Sequence, residues 1–143
     1  SALVGLFQYM VSNADYSLVA SADDSCCHNA KILRGEDSLY RPVIYDFDSS
    51  GLVNASYATG IPSLRIKKVT QRLYRGYCAH NSQVSEARRQ MLSMREALLD
   101  ILRTDTVLGK RALKQRVKYF TKSLEMIADD EAWQEKVLDA CRG

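Results

Sequence analysis

Apolar residues at the start of the chain recur every three or four positions, which is the spacing of a helix with one buried face. The positions that follow this spacing are Leu3, Leu6, Phe7, Met10 and Val11. Ser12 and Asn13 come directly after them, and asparagine is a residue type that often ends helices. The pattern therefore predicts a buried helix over residues 2–12, followed by a polar loop over 14–28.

Two short strand-like runs come next. Residues 30–34 and 40–47 are typical of strands, and the Gly-Glu-Asp-Ser stretch between them is typical of a turn. The two runs predict a β-hairpin. Gly and Pro interrupt residues 49–62, so we expect a loop there. Beyond that loop the pattern is ambiguous and favours, at most, a short helix around 69–75.

From residue 84 onward the hydrophobic period is helical and predicts three amphipathic helices. Their apolar faces are, in order, Val84, Met91, Met94, Leu98 and Ile101; Leu113, Val117, Phe120, Leu124 and Ile127; and Trp133, Val137 and Cys141. Asp105 or Thr106 is suited to cap the second helix, and Asp129 or Asp130 the third. We interpret the methionine and aromatic positions on these faces as core packing.

These elements together predict an α+β fold that is mostly helical, with a small β-hairpin and a C-terminal helical bundle. The length of 143 residues favours one domain. Within it, residues 1–82 carry the hairpin and the polar motifs, and residues 83–143 supply helices that complete the core. Because the chain opens abruptly in an apolar, helix-like segment, we expect it to be a piece of a longer protein.

The composition is ordinary for a globular protein, with 46% hydrophobic and 26% charged residues. The net charge of +3 is mild, and the basic residues are spread over the predicted helices, so we infer no nucleic-acid partner. The longest apolar run, residues 2–7, is too short to span a membrane. The hydrolase motif G-x-S-x-G is absent.

The cysteines allow three interpretations. They are Cys26, Cys27, Cys78 and Cys141. Adjacent cysteines rarely bond each other, so a bridge from Cys26 or Cys27 to Cys78 is the disulfide candidate. Free thiols, or a metal site that adds His28 and His80, are the alternatives, although zinc sites usually show a C-x₂₋₄-C spacing. A disulfide at Cys78 would favour an extracytoplasmic location such as the periplasm, because the cytosol is reducing.

Polar residues suited to chemistry stand in a fixed order in the first third of the chain. They are Asn13-Ala14-Asp15, His28-Asn29 and Pro42-Val43-Ile44-Tyr45-Asp46-Phe47-Asp48. Phosphoryl transfer needs a carboxylate near the acceptor hydroxyl and metal ions that neutralise the phosphates. Magnesium prefers oxygen ligands, which Asp15, Asn29 and Asp46 supply. The predicted hairpin would bring Asn29, before its first strand, close to Asp46, at the end of its second.

This order resembles the C-terminal lobe of atypical protein-kinase-like proteins, such as the persistence-toxin, spore-coat and secretory-pathway kinases. Those proteins carry an N-x-D segment, a later H-x-x-N or similar, and a P-x-Y-D ending. The chain also resembles a group of uncharacterised bacterial proteins with N-x-D-x-S, C-C-H-N, Y-D-F-D-x-S-G-L-V-N and R-x-Y-R-G-x-C motifs. Here these motifs read 13–17, 26–29, 45–54 and 72–78. The second resemblance is the more specific and implies no activity.

The kinase resemblance implies a role for each motif residue. Asp15 would be the catalytic base that orients the acceptor. Asn29 and Asp46 would be ligands of Mg²⁺ or Mn²⁺ bound with ATP, and Asp48 would be a further ligand. Asp46-Phe47 is followed by Asp48 instead of glycine, and the 15–29 loop is long for a kinase. Because the sequence holds no glycine-rich loop, we expect the chain by itself not to be a competent kinase.

Each of these residues also has a structural interpretation. Asp15 can cap a turn, Asn29 can be a turn residue, and Asp46 and Asp48 can be solvent-facing strand residues. His28 is better explained as a hydrogen-bonded structural histidine than as a ligand.

Two rival functions stay open. Residues 46–51 match the opening D-x-D-x-S-G of a calcium-binding EF-hand loop, but Tyr57 stands where that loop requires a bidentate glutamate. The second rival is a non-catalytic module, either pseudokinase-like or a structural interaction domain.

Overall fold

The computed structural model of the chain describes residues 2–19 and 26–143, and within them it is mostly helical with a two-stranded antiparallel sheet. The helices are α1 (Ala2–Val11), α2 (Asn81–Ser93), α3 (Arg95–Arg103), α4 (Lys110–Ala128) and α5 (Asp130–Trp133). The strands are β1 (Ala30–Arg34) and β2 (Tyr40–Ile44). Short 3₁₀ turns cover Pro62–Leu64 and Cys78–His80, and a π-helical turn, Gln134–Leu138, continues α5. The predicted α+β class is confirmed at this level.

The hairpin has the predicted position, with Ala30 of β1 opposite Ile44 of β2 and Arg34 opposite Tyr40. Its second strand is shorter than the sequence predicted, because pairing ends at Ile44 and not at residue 47. Asp46 adopts a left-handed backbone conformation with φ of 60°, which ends the extended run.

Helix α1 lies in the core, as its spacing predicted, except that Leu3 at its start is 39% exposed. Leu6 and Met10 are fully buried, and they belong to one hydrophobic cluster with Val84 of α2 and Leu124 and Ile127 of α4. The motif-bearing and helical parts of the chain therefore share one core. None of the helices in the described residues has the length and apolar character needed to cross a membrane.

The face predicted for the helix after residue 84 is correct only in its first half. Val84 and Met91 are buried, but the helix ends at Ser93, and Met94 and Ile101 are exposed. A new helix, α3, starts at Arg95 with a shifted phase and buries Leu99 instead. The faces of the next two helices are confirmed: Phe120, Leu124 and Ile127 are buried on α4, and Trp133 and Val137 after it.

The predicted cap of α4 is wrong. Gly109 occupies the N-cap position, and Asp105 instead accepts hydrogen bonds from the backbone N–H groups of Val107 and Leu108 in the preceding turn. The predicted cap of α5 is confirmed, because the Asp129 carboxylate accepts a hydrogen bond from the Ala132 N–H at 2.7 Å.

The short helix expected at 69–75 is not formed. This segment is irregular, and its arginines hold the end of α1. Arg72 donates hydrogen bonds to the Met10 carbonyl at 3.3 Å and to the Ser123 hydroxyl at 2.7 Å. The same guanidinium lies 4.1 Å from the centre of the Tyr119 ring. These long-range contacts replace the local hydrogen bonds of a helix.

The predicted disulfide is also wrong. Cys78 bonds Cys141, which lies 63 positions further along the chain, and Cys26 bonds Cys27. Cys78 and Cys141 come together because the backbone on both sides pairs: the Cys78 N–H donates to the Arg142 carbonyl, and the Arg142 N–H donates to the Gly76 carbonyl. The described cysteines thus hold neither free thiols nor a metal site.

Candidate functional site

The site is built on the C-terminal end of α1. The last carbonyl groups of a helix have no hydrogen-bond donor within the helix, and here tertiary contacts provide the donors. The Met10 carbonyl accepts from both Arg72 and the buried Ser123 hydroxyl, and the Ser12 carbonyl accepts from the Gly51 N–H at 3.0 Å. A positive charge at this end also complements the helix dipole. These contacts fix the position at which the chain leaves α1.

Gly51 is required for this closure because there is no room for a side chain. A Cβ atom at this position would lie 2.8 Å from the Thr70 Cα and 2.9 Å from the Ser12 Cβ. Residues 50–52 can therefore approach the end of α1 closely, which places the loop after β2 beside Asn13.

Asn13 links the two acidic segments. It is 2% exposed, and its side-chain oxygen accepts a hydrogen bond from the Asp15 N–H at 3.0 Å. Its side-chain nitrogen donates to the Asp46 carbonyl at 3.5 Å. One buried amide thus fixes the backbone of Asp15 and of Asp46, which are 31 positions apart in a chain of 143.

The Asp15 carboxylate is held by two neighbours. One oxygen lies 2.9 Å from His28 Nε2, and the other accepts from the Asn29 side chain at 3.2 Å. Asn29 also donates to the Asp15 carbonyl at 2.8 Å. Backbone hydrogen bonds between Ser17 and His28 bring the two segments side by side. The Asp15 side chain is still 40% exposed, so it is oriented but accessible.

Asn29 and Asp46 stand at the base of the hairpin, as the sequence predicted. The Tyr45 N–H donates to the Asn29 carbonyl at 3.2 Å, which pairs the two ends of the hairpin just below the strands. Both residues have positive φ, 50° and 60°, a conformation that asparagine and aspartate tolerate best after glycine. The strand interpretation of Asp46 and Asp48 is wrong, because β2 ends at Ile44 and Asp48 lies in a turn.

Asp46 and Asp48 form a carboxylate pair. Phe47 between them packs against Phe7 of α1, with ring centres 6.1 Å apart. The two carboxylates lie within hydrogen-bonding reach of each other, and the Tyr57 hydroxyl donates to Asp48 at 3.1 Å. Burial raises the pKa of Asp48, but the hydrogen bonds from Tyr57 and Ser49 outweigh it and hold that pKa below its usual value.

Asp46 and Asp48 supply carboxylate oxygens, the ligand type that hard cations prefer. In the described part of the chain, no three side chains of the His, Cys, Asp or Glu types are grouped so as to hold a metal. The Asn29 side-chain oxygen has no hydrogen-bond partner among the described residues, and its nitrogen donates to Asp15.

The calcium-loop alternative lacks its flanking helices. Strand β2 precedes residues 46–51 and irregular chain follows them, whereas an EF-hand loop connects two helices. The Tyr57 side chain, at the position of the required glutamate, has no carboxylate and donates a hydrogen bond to Asp48.

Arg75 and Tyr57 are site residues that sequence reasoning missed. Arg75 donates to the Ala14 carbonyl at 2.5 Å and to the Tyr16 carbonyl at 2.6 Å, so it clamps the backbone on both sides of Asp15. The R-x-Y-R-G-x-C motif contains this residue, but no local pattern indicates a partner 59 to 61 positions earlier.

Comparison of the chain with protein-family models, with curated proteins and with solved structures finds no match. The function has to be argued from the geometry of the chain itself.

Proposed function

We propose that the chain is the metal-binding catalytic lobe of a kinase-like phosphotransferase, which transfers a phosphoryl group from ATP to an acceptor. One observation supports the proposal: the Asn13 side chain hydrogen-bonds the backbone of both Asp15 and Asp46, while the Asn29 side chain donates to the Asp15 carboxylate. The backbone segments that carry residues suited to phosphoryl transfer are thereby linked through one side chain, although they are distant in sequence.

The roles follow from what each side chain offers. Asp15 is oriented by hydrogen bonds and is accessible, as a group that aligns an acceptor hydroxyl must be. Asn29, Asp46 and Asp48 would hold Mg²⁺ or Mn²⁺ with ATP, and the ion would neutralise charge on the phosphates. His28 is a positioning residue, because its contact is with the Asp15 carboxylate.

Metal binding is the direct test. Calorimetric titration with Mn²⁺ and with Mg²⁺, each with and without ATP, should show binding that Asp46→Asn weakens at least tenfold, as loss of a charged ligand predicts. Asp105→Asn is the matched control, since its amide oxygen can still accept from Val107 and Leu108. Absence of metal binding, or equal affinity in wild type and Asp46→Asn, would contradict the proposal.

A non-catalytic interaction module is the second candidate, and the hairpin favours it. Ile32, Leu33, Leu39, Tyr40, Val43 and Tyr45 are each at least 40% exposed. Apolar groups exposed together often mark a contact surface. The simplest partner is a second copy of the chain, which sedimentation at increasing concentration would detect and Leu33→Lys would weaken. Association without metal binding would favour this candidate over the kinase-like lobe.

The Cys78–Cys141 disulfide supports an extracytoplasmic location, because structural disulfides persist in oxidising compartments. Mass spectrometry after thiol alkylation of protein from its native cells should find Cys78 and Cys141 unmodified. Alkylated thiols at both positions would contradict this location.

A further inference from the structure

A cavity of about 230 Å³ lies between the segment after Asp15 and the chain around the Cys78–Cys141 disulfide. Its volume is below the roughly 300–1,000 Å³ of sites for drug-sized ligands, so it suits a small molecule. The site described above contributes none of its acidic side chains to this cavity. The lining residues with polar side-chain ends that matter here are Tyr16, Tyr74, Arg75, Tyr77, His80 and Arg142.

Two buried tyrosines line the interior of the cavity. Tyr16 is 8% exposed and Tyr74 2% exposed, and neither hydroxyl has a hydrogen-bond partner among the described residues. Burial raises the pKa of Tyr74 to about 12, so its hydroxyl keeps its proton. The Tyr74 ring lies so close to Gly76 that any side chain there would meet it. Two O–H donors are therefore available to a ligand.

Two guanidinium groups complete the polar part of the cavity. One terminal nitrogen of Arg75 donates hydrogen bonds to the Ala14 and Tyr16 carbonyls, and the Arg75 Nε is buried without a hydrogen-bond partner. Arg142 donates through Nε to the Arg75 carbonyl at 2.9 Å and stacks 4.5 Å from the Tyr77 ring centre. Neither arginine forms an ion pair with a carboxylate in the described ranges 2–19 and 26–143.

The electrostatics of the cavity favour an anion. Burial lowers the pKa of Arg75, and the nearby charge of Arg142 lowers it further, whereas Tyr16 and the more weakly acting Asp15 oppose these effects. Two like charges held close together without a carboxylate partner repel each other, and an anion bound between them would relieve that repulsion. The Tyr16 and Tyr74 hydroxyls and the Arg75 and Arg142 guanidinium groups can all donate hydrogen bonds. A ligand rich in acceptor atoms therefore satisfies them best.

The rim of the cavity is fixed before any ligand arrives. Tyr77 and Arg142 lie side by side through backbone hydrogen bonds, and the Cys78–Cys141 disulfide joins their neighbours in sequence. Leu18 and Val19 add apolar side chains to the lining of the cavity. A prearranged set of donors with an apolar wall lowers the entropic cost of binding a ligand.

We propose that this cavity binds a small organic anion, a carboxylate or phosphate monoester with an apolar body. The anionic group accepts hydrogen bonds from Arg75, Arg142, Tyr16 and Tyr74, and the apolar body lies against Leu18, Val19 and the Tyr77 ring. The two anion types share the same acceptor chemistry, and the assay distinguishes them. This proposal stands independently of metal binding at Asp46 and of phosphoryl transfer.

Calorimetric titration with benzoate, phenyl phosphate, inorganic phosphate and benzyl alcohol tests the proposal on the whole chain. Benzoate, phenyl phosphate or both should bind with one-to-one stoichiometry, more tightly than inorganic phosphate, and benzyl alcohol should bind at least tenfold more weakly. Arg142→Gln should weaken binding at least tenfold, because a charged donor is lost. Arg111→Gln is the matched control, since Arg111 is an exposed arginine on α4 outside the cavity lining.

Tyr16→Phe gives a second variant that keeps the fold, because its hydroxyl has no partner to lose. It should weaken binding by about fivefold, the effect of one neutral hydrogen bond. Equal binding of the anions and benzyl alcohol, or equal affinity in wild type, Arg142→Gln and Tyr16→Phe, would overturn the proposal. Tighter binding of inorganic phosphate than of phenyl phosphate would overturn the role of the apolar wall.

Discussion

Residues 14–16 separate two regions of opposite charge. The carbonyl of Asp15 accepts from Asn29 on one side, and the carbonyls of Ala14 and Tyr16 accept from Arg75 on the other. The side chains divide in the same way, with Asp15 among acidic and amide groups and Tyr16 in the basic cavity. Alternation of neighbouring residues in extended chain gives one short segment two faces.

The two regions are stabilised by different means. The acidic side depends on side-chain amides, Asn13 and Asn29, which bind backbone and carboxylate groups without adding charge. The basic side depends on charged donors and on the Cys78–Cys141 cross-link. Changes on one side should therefore weaken that side selectively, and a change at Arg75 should affect both.

The largest effect is expected from removing the cross-link. Replacement of both Cys78 and Cys141 by serine should lower the free energy of unfolding by about 4 kcal/mol, because the bond closes a loop with a sequence separation of 63. Chemical denaturation measures this change. Benzoate or phenyl phosphate binding should fall as the rim loosens, while Mn²⁺ binding should persist.

The control is replacement of both Cys26 and Cys27 by serine. Because that pair closes no long loop, we expect a change within about 0.5 kcal/mol. Equal destabilisation by the two double variants would show that loop closure is not the source of the effect.

Arg75→Met should lower the free energy of unfolding by about 3 kcal/mol, because it leaves the Ala14 and Tyr16 carbonyls without a charged donor. It should also weaken both metal and anion binding, since residues 14–16 lose their clamp. Denaturation and calorimetry measure the two effects, with Arg111→Met as the control. Loss of anion binding with unchanged metal binding and stability would contradict a shared role.

Asn13→Leu should lower the free energy of unfolding by about 1–2 kcal/mol, the net contribution of two hydrogen bonds to partly buried backbone groups of Asp15 and Asp46. Its effect on function should be one-sided, with Mn²⁺ affinity falling about tenfold and anion affinity unchanged. Gln115→Leu, which changes an exposed amide on α4, is the control. Unchanged Mn²⁺ affinity would contradict a role of Asn13 in positioning the acidic site.

The smallest effect is expected at Tyr57. Because hydrogen bonding lowers the folded-state pKa of Asp48, this interaction is complete above the ordinary value of 3.8 and is lost as pH falls through the lower folded-state pKa. Tyr57→Phe should raise the Asp48 pKa toward 3.8, which NMR titration of the side-chain carboxyl carbon measures. Tyr40→Phe, on the exposed hairpin, is the control. An unchanged Asp48 pKa would mean that other hydrogen bonds determine it.

Local periodicity was sufficient to predict the elements whose neighbours in sequence are also their neighbours in space. The buried face of α4 and the pairing of β1 with β2 are examples, and both are confirmed. The break at Met94 was missed because Val84, Met91, Met94, Leu98 and Ile101 fit one uninterrupted helix. Packing instead starts a new helix that buries Leu99.

The disulfide shows the same limit. Because adjacent cysteines rarely bond each other, the predicted bridge joined Cys26 or Cys27 to Cys78. Cys78 bonds Cys141 because the last turn of the chain returns to pair with residues 76–78. No rule based on cysteine spacing predicts that the end of the chain pairs with residues 76–78.

Periodicity and residue type were enough to predict most of the helices, the hairpin with Asn29 and Asp46 at its base, and the residue types suited to phosphoryl transfer. The link that the buried Asn13 amide makes between Asp15 and Asp46, and the cavity lined by Arg75 and Arg142, became visible only in the folded chain. These two kinds of feature differ in the sequence separation of the residues that form them. Helix and hairpin signals arise from neighbouring residues, whereas hydrogen bonds across 30 to 70 positions depend on how the core packs.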